Sequence, residues 1–488
     1  MKPILKFALS LTLSFALLPC GVRAQQPGAE VQQAAARVAG AALVNGRSYE
    51  YLQSLTDKFG GRLTGSPAYA RSAEWAAAEF RALGLKNVRL EPFTIPNGWL
   101  RGYATSRVVA PAERPLHLES LGWAPATPAA GVRADVVALD DIAPDAIRAR
   151  AAELKGRVVL LDIQKIFSDG LNSYARVLAA VPVFQEVGAS ALLVSDFAPN
   201  NVLNAFSMDW GAHLSPLPVA QVGLEDGRLL ARLLKEGPVT VEFKYDNRTT
   251  GPVEVNNVVA ELPGRERPDE WVIVGAHLDS WDYGTGAQDN GAGVAQVLEA
   301  ARAVLAAGQA PRRSIRFALW GGEEQGLLGS AAYARAHAAE LGRCVAALNT
   351  DNGAGHPKGW KVEGRADVRA ALAPISHTLL RDLGGEGLSN ETTFDTDHGP
   401  FMLAGVPALD LWVDMARYND VHHKTSDTLD KVDRHNLAAG AAVLAVTAYA
   451  VAERPEPLAP HLDHAAVGKQ LDDAKLTAFL KAVGVWQQ

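Results

Sequence analysis

The chain has 488 residues, of which 48% are hydrophobic, and its formal net charge is −7. This length exceeds that of one ordinary domain, so we expect two domains, each with a substantial hydrophobic core. The mildly acidic charge balance gives no basis for a nucleic-acid partner and favours an ordinary soluble enzyme.

The first 24 residues have the pattern of a secretory signal peptide. Two lysines precede an apolar run at 7–18, and small residues at the expected cleavage positions end at Ala24. The run is too short for a stable spanning helix, so we expect cleavage after Ala24 and a secreted or periplasmic protein with no membrane anchor. Cys20 follows a proline where a lipobox needs a small residue, which favours simple cleavage over lipidation. Cys344 would then be the remaining cysteine, and no intrachain disulfide is expected.

The mature chain divides into four regions by its pattern of elements. Residues 25–95 are predicted to form a helical N-terminal part of the catalytic domain, and the loop GGRLTGSP at 60–67, taken alone, indicates a plain turn. Residues 96–250, with short strand-like runs, many prolines and a βαβ-like unit, are predicted to form an inserted domain. Residues 251–455 alternate strands and helices. A proline-rich segment then introduces a helical tail at 456–488.

Metal-capable side chains follow four predicted strands, at 271–276, 314–320, 344–348 and 407–413. In chain order, the side chains after these strands include His277, Asp279, Asp289, Glu323, Glu324, Asp351, Tyr418, His422 and His423. In an open α/β sheet, the loops after the carboxyl ends of the strands meet in one crevice. The sequence therefore predicts that these groups collect at one edge of a sheet.

The residue types at this edge are those that bind zinc. Imidazole nitrogens and carboxylate oxygens are zinc ligands, and a catalytic zinc keeps one position open. The five candidate ligands are His277, Asp289, Glu324, Asp351 and His423. Five ligands are too many for one catalytic zinc, but they suit two zinc ions that share one carboxylate and hydrolyse a substrate together. One of the adjacent Glu323 and Glu324 can bind metal while the other acts as general base. Asp279 is placed to accept a hydrogen bond from the second ring nitrogen of His277.

The motifs HLDSWDYGTGAQDNGAG, EEQGLLGS, TDHGPFMLAGVPA and HHKTSDT, together with Asp351, resemble the co-catalytic zinc exopeptidases that include bacterial leucyl aminopeptidases and plasma glutamate carboxypeptidase. The resemblance is strong over 253–453 and moderate at RLTGSP. HLDSWD and the double histidine are most similar to the carboxypeptidase Q-like branch. The resemblance implies an α/β fold with a mixed, mostly parallel central sheet flanked by helices. It also implies that the insertion is a protease-associated-like α/β domain.

The same resemblance implies a role for each site residue. His277 and Asp351 would bind one zinc, Glu324 and His423 the other, and Asp289 would bridge them. Glu323 would be the general base, and Asp279 would orient His277. His423 is preferred over His422 because the spacing H-x-x-x-D-T matches the family pattern. We expect His422 or Tyr418 to contact the oxyanion. Asp397 and His398 lie in a motif that lines the substrate cleft in relatives, and a structural turn is an equal alternative.

These observations predict an exported enzyme with two zinc ions that hydrolyses short peptides or dipeptides as a carboxypeptidase, dipeptidase or aminopeptidase. The family resemblance is compatible with a homodimer. Three alternatives remain: a zinc peptidase with a lid between the later ligands, a single-zinc glutaminyl cyclase, and a non-catalytic receptor ectodomain. Only 72 residues separate Asp351 from His423, which leaves no room for a lid. The five ligands are all retained, which argues against the other two.

Overall fold

The computed structural model describes residues 26–487, and the predicted signal peptide at 1–24 lies outside them. Two eight-stranded sheets form the framework, each with its own hydrophobic core. The strands are β1 (Lys86–Leu100), β2 (Ala104–Ala110), β3 (Arg114–Pro115), β4 (Leu118–Ser120), β5 (Val132–Ala138), β6 (Val158–Asp162), β7 (Ala191–Ser195), β8 (Val219–Val222), β9 (Thr240–Tyr245), β10 (Arg248–Leu262), β11 (Arg267–His277), β12 (Arg313–Trp320), β13 (Cys344–Asn349), β14 (Pro357–Lys361), β15 (Gly387–Ser389) and β16 (Ala408–Val413).

Sixteen α-helical segments in the described residues flank these sheets. They are α1 (Ala29–Val44), α2 (Ser48–Phe59), α3 (Pro67–Ala82), α4 (Pro144–Ala149), α5 (Ala151–Leu154), α6 (Ile163–Ile166), α7 (Asn172–Glu186), α8 (Leu224–Glu236), α9 (Ala292–Val304), α10 (Leu328–Ala336), α11 (Ala366–Ile375), α12 (Gly399–Leu403), α13 (Ala416–Val421), α14 (Arg434–Glu453), α15 (His464–Asp473) and α16 (Thr477–Ala482).

The first sheet, which we call the peptidase sheet, has the order β1-β10-β12-β11-β13-β16-β14-β15. Its four central strands, β12, β11, β13 and β16, are parallel neighbours. Every residue of β13 is buried, as expected for a parallel strand covered by helices on both faces. The predicted mixed, mostly parallel sheet is confirmed, and the carboxyl ends of these four strands lie at one edge.

Helix α14 covers one face of the peptidase sheet. Asp433 caps its start by accepting hydrogen bonds from the backbone N–H groups of His435 and Asn436. Within residues 26–487, this is the single helix long and apolar enough to cross a membrane, and 78% of its most apolar window is buried inside the protein. Helix α14 is therefore a core helix, which explains its nearly uniform apolar sequence.

The second sheet has the order β3-β2-β9-β5-β6-β7-β8-β4, with β5 to β8 parallel. Helix α7 connects β6 and β7, as the βαβ-like pattern predicted. The long strands β1 and β10 pair along their lengths and lead from the peptidase sheet towards the second sheet. Both strands extend across the predicted boundaries of the inserted domain, at residues 95 and 250. Those boundaries stay a prediction.

The C-terminal tail packs against the rest of the protein. Phe479 of α16 and Leu471 of α15 share an apolar cluster with Leu327, which follows the Glu323–Glu324 turn. Trp210, from the loop between β7 and β8, contacts Phe479 with ring centroids 5.2 Å apart. The tail therefore joins the second sheet to the peptidase sheet, which the sequence pattern alone left undecided.

Candidate active site and metal centre

The ends of three parallel strands deliver most of the candidate site. β11 ends at His277, and the paired strand β12 ends opposite it at Trp320, just before the Glu323–Glu324 turn. β13 leads directly to Asp351. Because these strands are parallel neighbours, their following side chains meet at the same sheet edge.

Asp289 lies at the centre of the cluster, with one oxygen towards each of two histidines. Its Oδ1 is 3.2 Å from Nε2 of His277, and its Oδ2 is 3.2 Å from Nε2 of His423. His277 Nε2 is also 3.0 Å from Asp351 Oδ1, and His423 Nε2 is 3.0 Å from Glu324 Oε2. The five predicted ligands therefore form two groups that share Asp289.

The donor set fits metal ions. Three overlapping groups have their ligand atoms within 4.8 Å of one another: Asp289 with His422 and His423, His277 with Glu323 and Asp351, and His277 with Asp289 and Glu324. Glu324 Oε1 is buried and has no hydrogen-bond partner among the described residues. A buried carboxylate oxygen without a donor is costly, and a cation between the two groups would satisfy it.

Burial and mutual repulsion perturb the acids of the cluster. Burial and the neighbouring Asp289 raise the pKa of Glu324 to about 7, although His423 opposes this shift. Burial, Asp351 and Glu324 hold the pKa of Glu323 well above its usual range against the influence of His277. The raised pKa values favour the protonated forms of these two glutamates, and metal binding would release such protons.

Asp279 contacts the site in a different way from the prediction. His277 Nδ1 lies 3.0 Å from the backbone carbonyl of Asp279, whereas the Asp279 carboxylate is 3.6 Å away, beyond normal hydrogen-bond length. That carboxylate instead accepts hydrogen bonds from the Thr64 hydroxyl at 2.7 Å and the backbone N–H groups of Glu323 and Glu324 at 3.3 and 3.4 Å. The residue therefore orients the imidazole mainly through its main chain, and its side chain supports the glutamate turn.

Both candidate oxyanion residues, His422 and Tyr418, lie on the Asp289 side of the cluster. His422 Nε2 is 3.4 Å from Asp289 Oδ2, and its side chain is 42% exposed. The ring of Tyr418 stacks on His422 with centroids 4.8 Å apart. Burial and the nearby Asp289 raise the pKa of Tyr418 well above its ordinary value, so its phenol keeps its proton and can donate. His423 Nε2 is closer to Asp289, at 3.2 Å, than His422 Nε2 is, at 3.4 Å, and it also lies 3.0 Å from Glu324. The choice of His423 as the ligand stays a prediction.

Arg62 and Asp427 brace the ligand loops, and neither was assigned a role from the sequence. Arg62 is fully buried and donates to the backbone carbonyls of Leu278, Gly60, Thr285 and Gly286 at 2.7–2.9 Å. The GGRLTGSP loop is therefore more than a plain turn. The resemblance of RLTGSP to the family motifs was the signal in the sequence that could have indicated a role for this loop.

The carboxylate of Asp427 holds the loop that carries Asp289. It accepts hydrogen bonds from the backbone N–H groups of Gln288 at 2.7 Å and Asp289 at 3.0 Å. In the sequence, Asp427 served only to mark the H-x-x-x-D-T spacing. The structure gives a physical reason for an acceptor four residues after His423.

Asp397 and His398, which the sequence places either in the substrate cleft or in a structural turn, are buried, and Asp282 of the HLDSWD motif forms an ion pair. Asp397 and His398 are each about 1% exposed. Ser330 donates a hydrogen bond to Asp397, and His398 lies 3.5 Å from Glu363. These contacts suit the structural alternative, and the roles of both residues stay a prediction. The carboxylate of Asp282 accepts two hydrogen bonds from Arg101.

Comparison with known proteins agrees with this geometry. Residues 257–448 match the model of Peptidase family M28. Carboxypeptidase Q of Rattus norvegicus is 32% identical over 84% of this chain and 86% of its own length. The crystal structure of a Peptidase M28 precursor from Shewanella amazonensis SB2B superposes with a TM-score of 0.78 at 31% identity, covering 89% of this chain and 99% of that one.

A more distant structure shares the fold. The zinc aminopeptidase BSAP from Bacillus subtilis covers 86% of this chain and 97% of its own, with a TM-score of 0.66 and 22% identity. Three observations indicate the same family: the fold, the clustered imidazoles and carboxylates, and the extended similarity to carboxypeptidase Q. The chain therefore belongs to peptidase family M28 and is a metallopeptidase with the zinc exopeptidase fold.

Proposed function

We propose that this chain is an exported exopeptidase with two zinc ions per chain, which hydrolyses short peptides or dipeptides. His277 and Asp351 would bind one zinc, Glu324 and His423 the other, and Asp289 would bridge them. The observation that carries this proposal is the position of Asp289, whose two oxygens each lie 3.2 Å from a different histidine. A carboxylate that faces two imidazoles in this way suits a shared ligand.

Bound zinc would supply Lewis acidity, which lowers the pKa of water towards about 7 and polarises the scissile carbonyl. Glu323 is the proposed general base, since its carboxylate is 3.9 Å from His277 Nε2 and so less tightly engaged than that of Glu324. It takes a proton from the attacking water and gives it to the leaving amine. Asp279 fixes the turn that carries Glu323.

The oxyanion contact is assigned to His422 or Tyr418. Both side chains lie on the Asp289 side of the cluster, and stacking holds the two rings together. A donor placed where negative charge develops stabilises the transition state without further reorganisation. Tyr418 donates as a neutral phenol because its pKa is raised well above the ordinary value by burial and Asp289.

Carboxypeptidase or dipeptidase action is favoured over aminopeptidase action. The supporting observation is the similarity to carboxypeptidase Q, at 32% identity over 84% of this chain, compared with 29% over 79% for the probable lipoprotein aminopeptidase LpqL of Mycobacterium tuberculosis. In addition, Asp282, the last residue of the HLDSWD motif, is paired with Arg101 at 2.8 Å, which leaves this carboxylate less suited to bind the free amine of a substrate.

One dipeptide tested in free, N-acetylated and C-amidated forms distinguishes these activities. Purified protein is loaded with zinc, its zinc content is measured, and each form is assayed with and without a chelator. Two zinc ions per chain and chelator-sensitive cleavage that is lost on amidation support the proposal. Cleavage of the acetylated form then indicates a carboxypeptidase, and its absence a dipeptidase. Cleavage that survives amidation but not acetylation indicates an aminopeptidase, and no cleavage of any form refutes peptidase action on dipeptides.

Export and assembly complete the proposal. The lysine-led apolar segment at 1–24 is the basis for placing the enzyme in the periplasm or outside the cell. Residues 96–250 are proposed as an inserted protease-associated-like domain, between an N-terminal helical part at 25–95 and the catalytic region at 251–455. A homodimer is the proposed assembly, and light scattering of the purified protein measures it directly.

A further inference from the structure

A loop that follows β7 of the second sheet reaches the loop that carries the two adjacent histidines. This segment, residues 196–207, follows β7, and we call it the strap. The backbone N–H of Ala205 donates to the carbonyl of His423 at 2.7 Å. The neighbouring Asn204 forms an isolated antiparallel bridge with Lys424. The strap therefore contacts the main chain of a proposed zinc ligand more than 200 residues away in sequence.

Asp196 closes the strap on itself. Its carboxylate is fully buried and accepts hydrogen bonds at 2.5–3.0 Å from the backbone N–H groups of Phe197, Ala198 and Asn204 and from the Asn204 side chain. An ionised carboxylate offers only acceptor positions, and here four N–H bonds converge on it. The conformation that presents Ala205 to His423 therefore depends on this one side chain.

The region around the second sheet also supports the imidazole from its side. Trp281 contacts the His423 ring edge-on, with centroids 6.0 Å apart. Gly122, whose N–H donates to the Phe206 carbonyl of the strap, lies so close to Trp281 that an added Cβ would be 2.5 Å from the indole. The strap and Gly122 thus hold both the main chain and the ring environment of His423.

His423 needs such support because its backbone is in the left-handed region, with φ of 61°. This conformation is strained for a residue with a Cβ, so surrounding contacts must maintain it. His277 is different, since it ends a buried strand that pairs on both sides. Of these two histidines, His423 is the one whose placement depends on contacts from the second sheet.

We propose that Asp196 is a positioning residue, which shapes the strap so that it holds the backbone of His423 and thereby sets the affinity of the zinc position formed by Glu324 and His423. The inference rests on the proposed role of His423 as a ligand. It makes the second sheet part of the metal centre's supporting structure, although the strap itself contributes no ligand atom.

The test compares Asp196→Ala with Asp162→Ala. Asp162 ends the neighbouring strand β6, pairs in register with Ser195, and accepts a hydrogen bond from the Gln164 N–H at 3.0 Å. It is therefore a comparison aspartate at the end of the neighbouring strand, partly buried, which caps the short helix α6. Chelator competition measures the two zinc affinities of each full-length variant. In Asp196→Ala we expect one zinc to bind about 10- to 100-fold more weakly, as for the loss of other residues that support metal ligands, and the other zinc to bind unchanged.

Hydrogen exchange in the metal-free protein tests separately whether Asp196 maintains the backbone contact between the strap and the His423 loop. The amides of Ala205 and Lys424, which donate to His423 and Val421, should exchange faster in Asp196→Ala and unchanged in Asp162→Ala. If those amides exchange faster while both zinc affinities stay at the wild-type level, the proposal is overturned. Equal loss of both zinc ions together with a lower unfolding temperature would also overturn it, since that pattern indicates general destabilisation.

A milder variant keeps the test decisive if Asp196→Ala does not fold. Asn204→Ala removes only the side-chain hydrogen bond to Asp196, and it should weaken the same single zinc to a smaller degree. Unchanged zinc affinities and unchanged exchange in Asn204→Ala would contradict the proposal. If the wild-type protein binds fewer than two zinc ions, the two-zinc function fails, and the exchange measurement alone then decides whether Asp196 holds His423.

Discussion

The guanidinium of Arg62 donates through Nε to the carbonyl of Leu278 at 2.8 Å, although 216 positions separate the two residues. Leu278 lies between His277 and Asp279, so this bond fixes the end of β11 where the site begins. The other guanidinium nitrogens reach Thr285 and Gly286, on the loop that leads to Asp289. One buried cation thus braces two ligand loops.

Arg62→Lys should weaken both folding and zinc binding. Lysine cannot reproduce the planar fork, and each buried carbonyl left without a donor costs about 1–3 kcal/mol. We expect the free energy of unfolding to fall by about 2–4 kcal/mol and zinc affinity to fall about 10-fold. Denaturant unfolding and chelator competition measure the two effects.

Arg313→Lys is the matched control for that substitution. Arg313 is also fully buried and also donates to backbone carbonyls, those of Arg454 and Pro455, but it lies at the opposite end of β12 from the site. This variant should lose stability and keep its zinc affinity. Equal zinc affinities in the two variants would show that Arg62 has no particular role at the metal centre.

Glu323→Gln and Glu324→Gln should separate the base from the ligand. Glutamine at 323 cannot take a proton, so kcat should fall about 10²- to 10⁴-fold while zinc content stays unchanged. Glutamine at 324 removes a carboxylate that lies 3.0 Å from His423, so zinc should be lost from that position. Metal analysis and steady-state kinetics on both variants check this, and zinc loss in the 323 variant would reverse the two assignments.

The sequence predicted the strands and the clustered ligands because both depend on local signals. Parallel strands buried on both faces are continuous apolar runs, as β13 shows. Their carboxyl ends lie at one edge of the sheet, independently of the conformation of the loops. Main-chain contacts between distant loops leave no such pattern. The bond from Ala205 to the His423 carbonyl involves no distinctive side chain, and periodicity could not indicate it. For the same reason, the sequence could not indicate that the carbonyl of Asp279, rather than its carboxylate, lies closest to His277.

A buried pair beneath the site should make stability depend on pH. Burial lowers the pKa of His398, but Glu363 at 3.5 Å and the nearby Asp410 outweigh it and raise the pKa to about 9. A histidine pKa raised on folding stabilises the protein fully below the unfolded value of about 6.5, and that stabilisation is lost as pH rises through the folded value.

The difference in unfolding free energy between the wild type and His398→Gln, measured at fixed zinc, should therefore be largest below pH 6.5. On the linkage relation it should shrink by on the order of 3 kcal/mol between about pH 6.5 and pH 9. His377→Gln is the control, because that side chain is 57% exposed and lies 3.9 Å from Glu386. A difference for His398→Gln that stays constant across this range would mean that the histidine is not charged in the folded protein.

His422→Phe should separate the two candidates for the oxyanion contact. Phenylalanine preserves the stacking on Tyr418 but removes the Nε2 that lies 3.4 Å from Asp289. If His422 donates to the oxyanion, kcat should fall about 10²-fold with KM and zinc content nearly unchanged, since the contact forms only in the transition state. Full turnover with zinc bound would exclude His422 and predict the same loss for Tyr418→Phe. Full turnover in both variants would leave the oxyanion to be stabilised by other groups, and the pair would then serve only to pack against the metal centre.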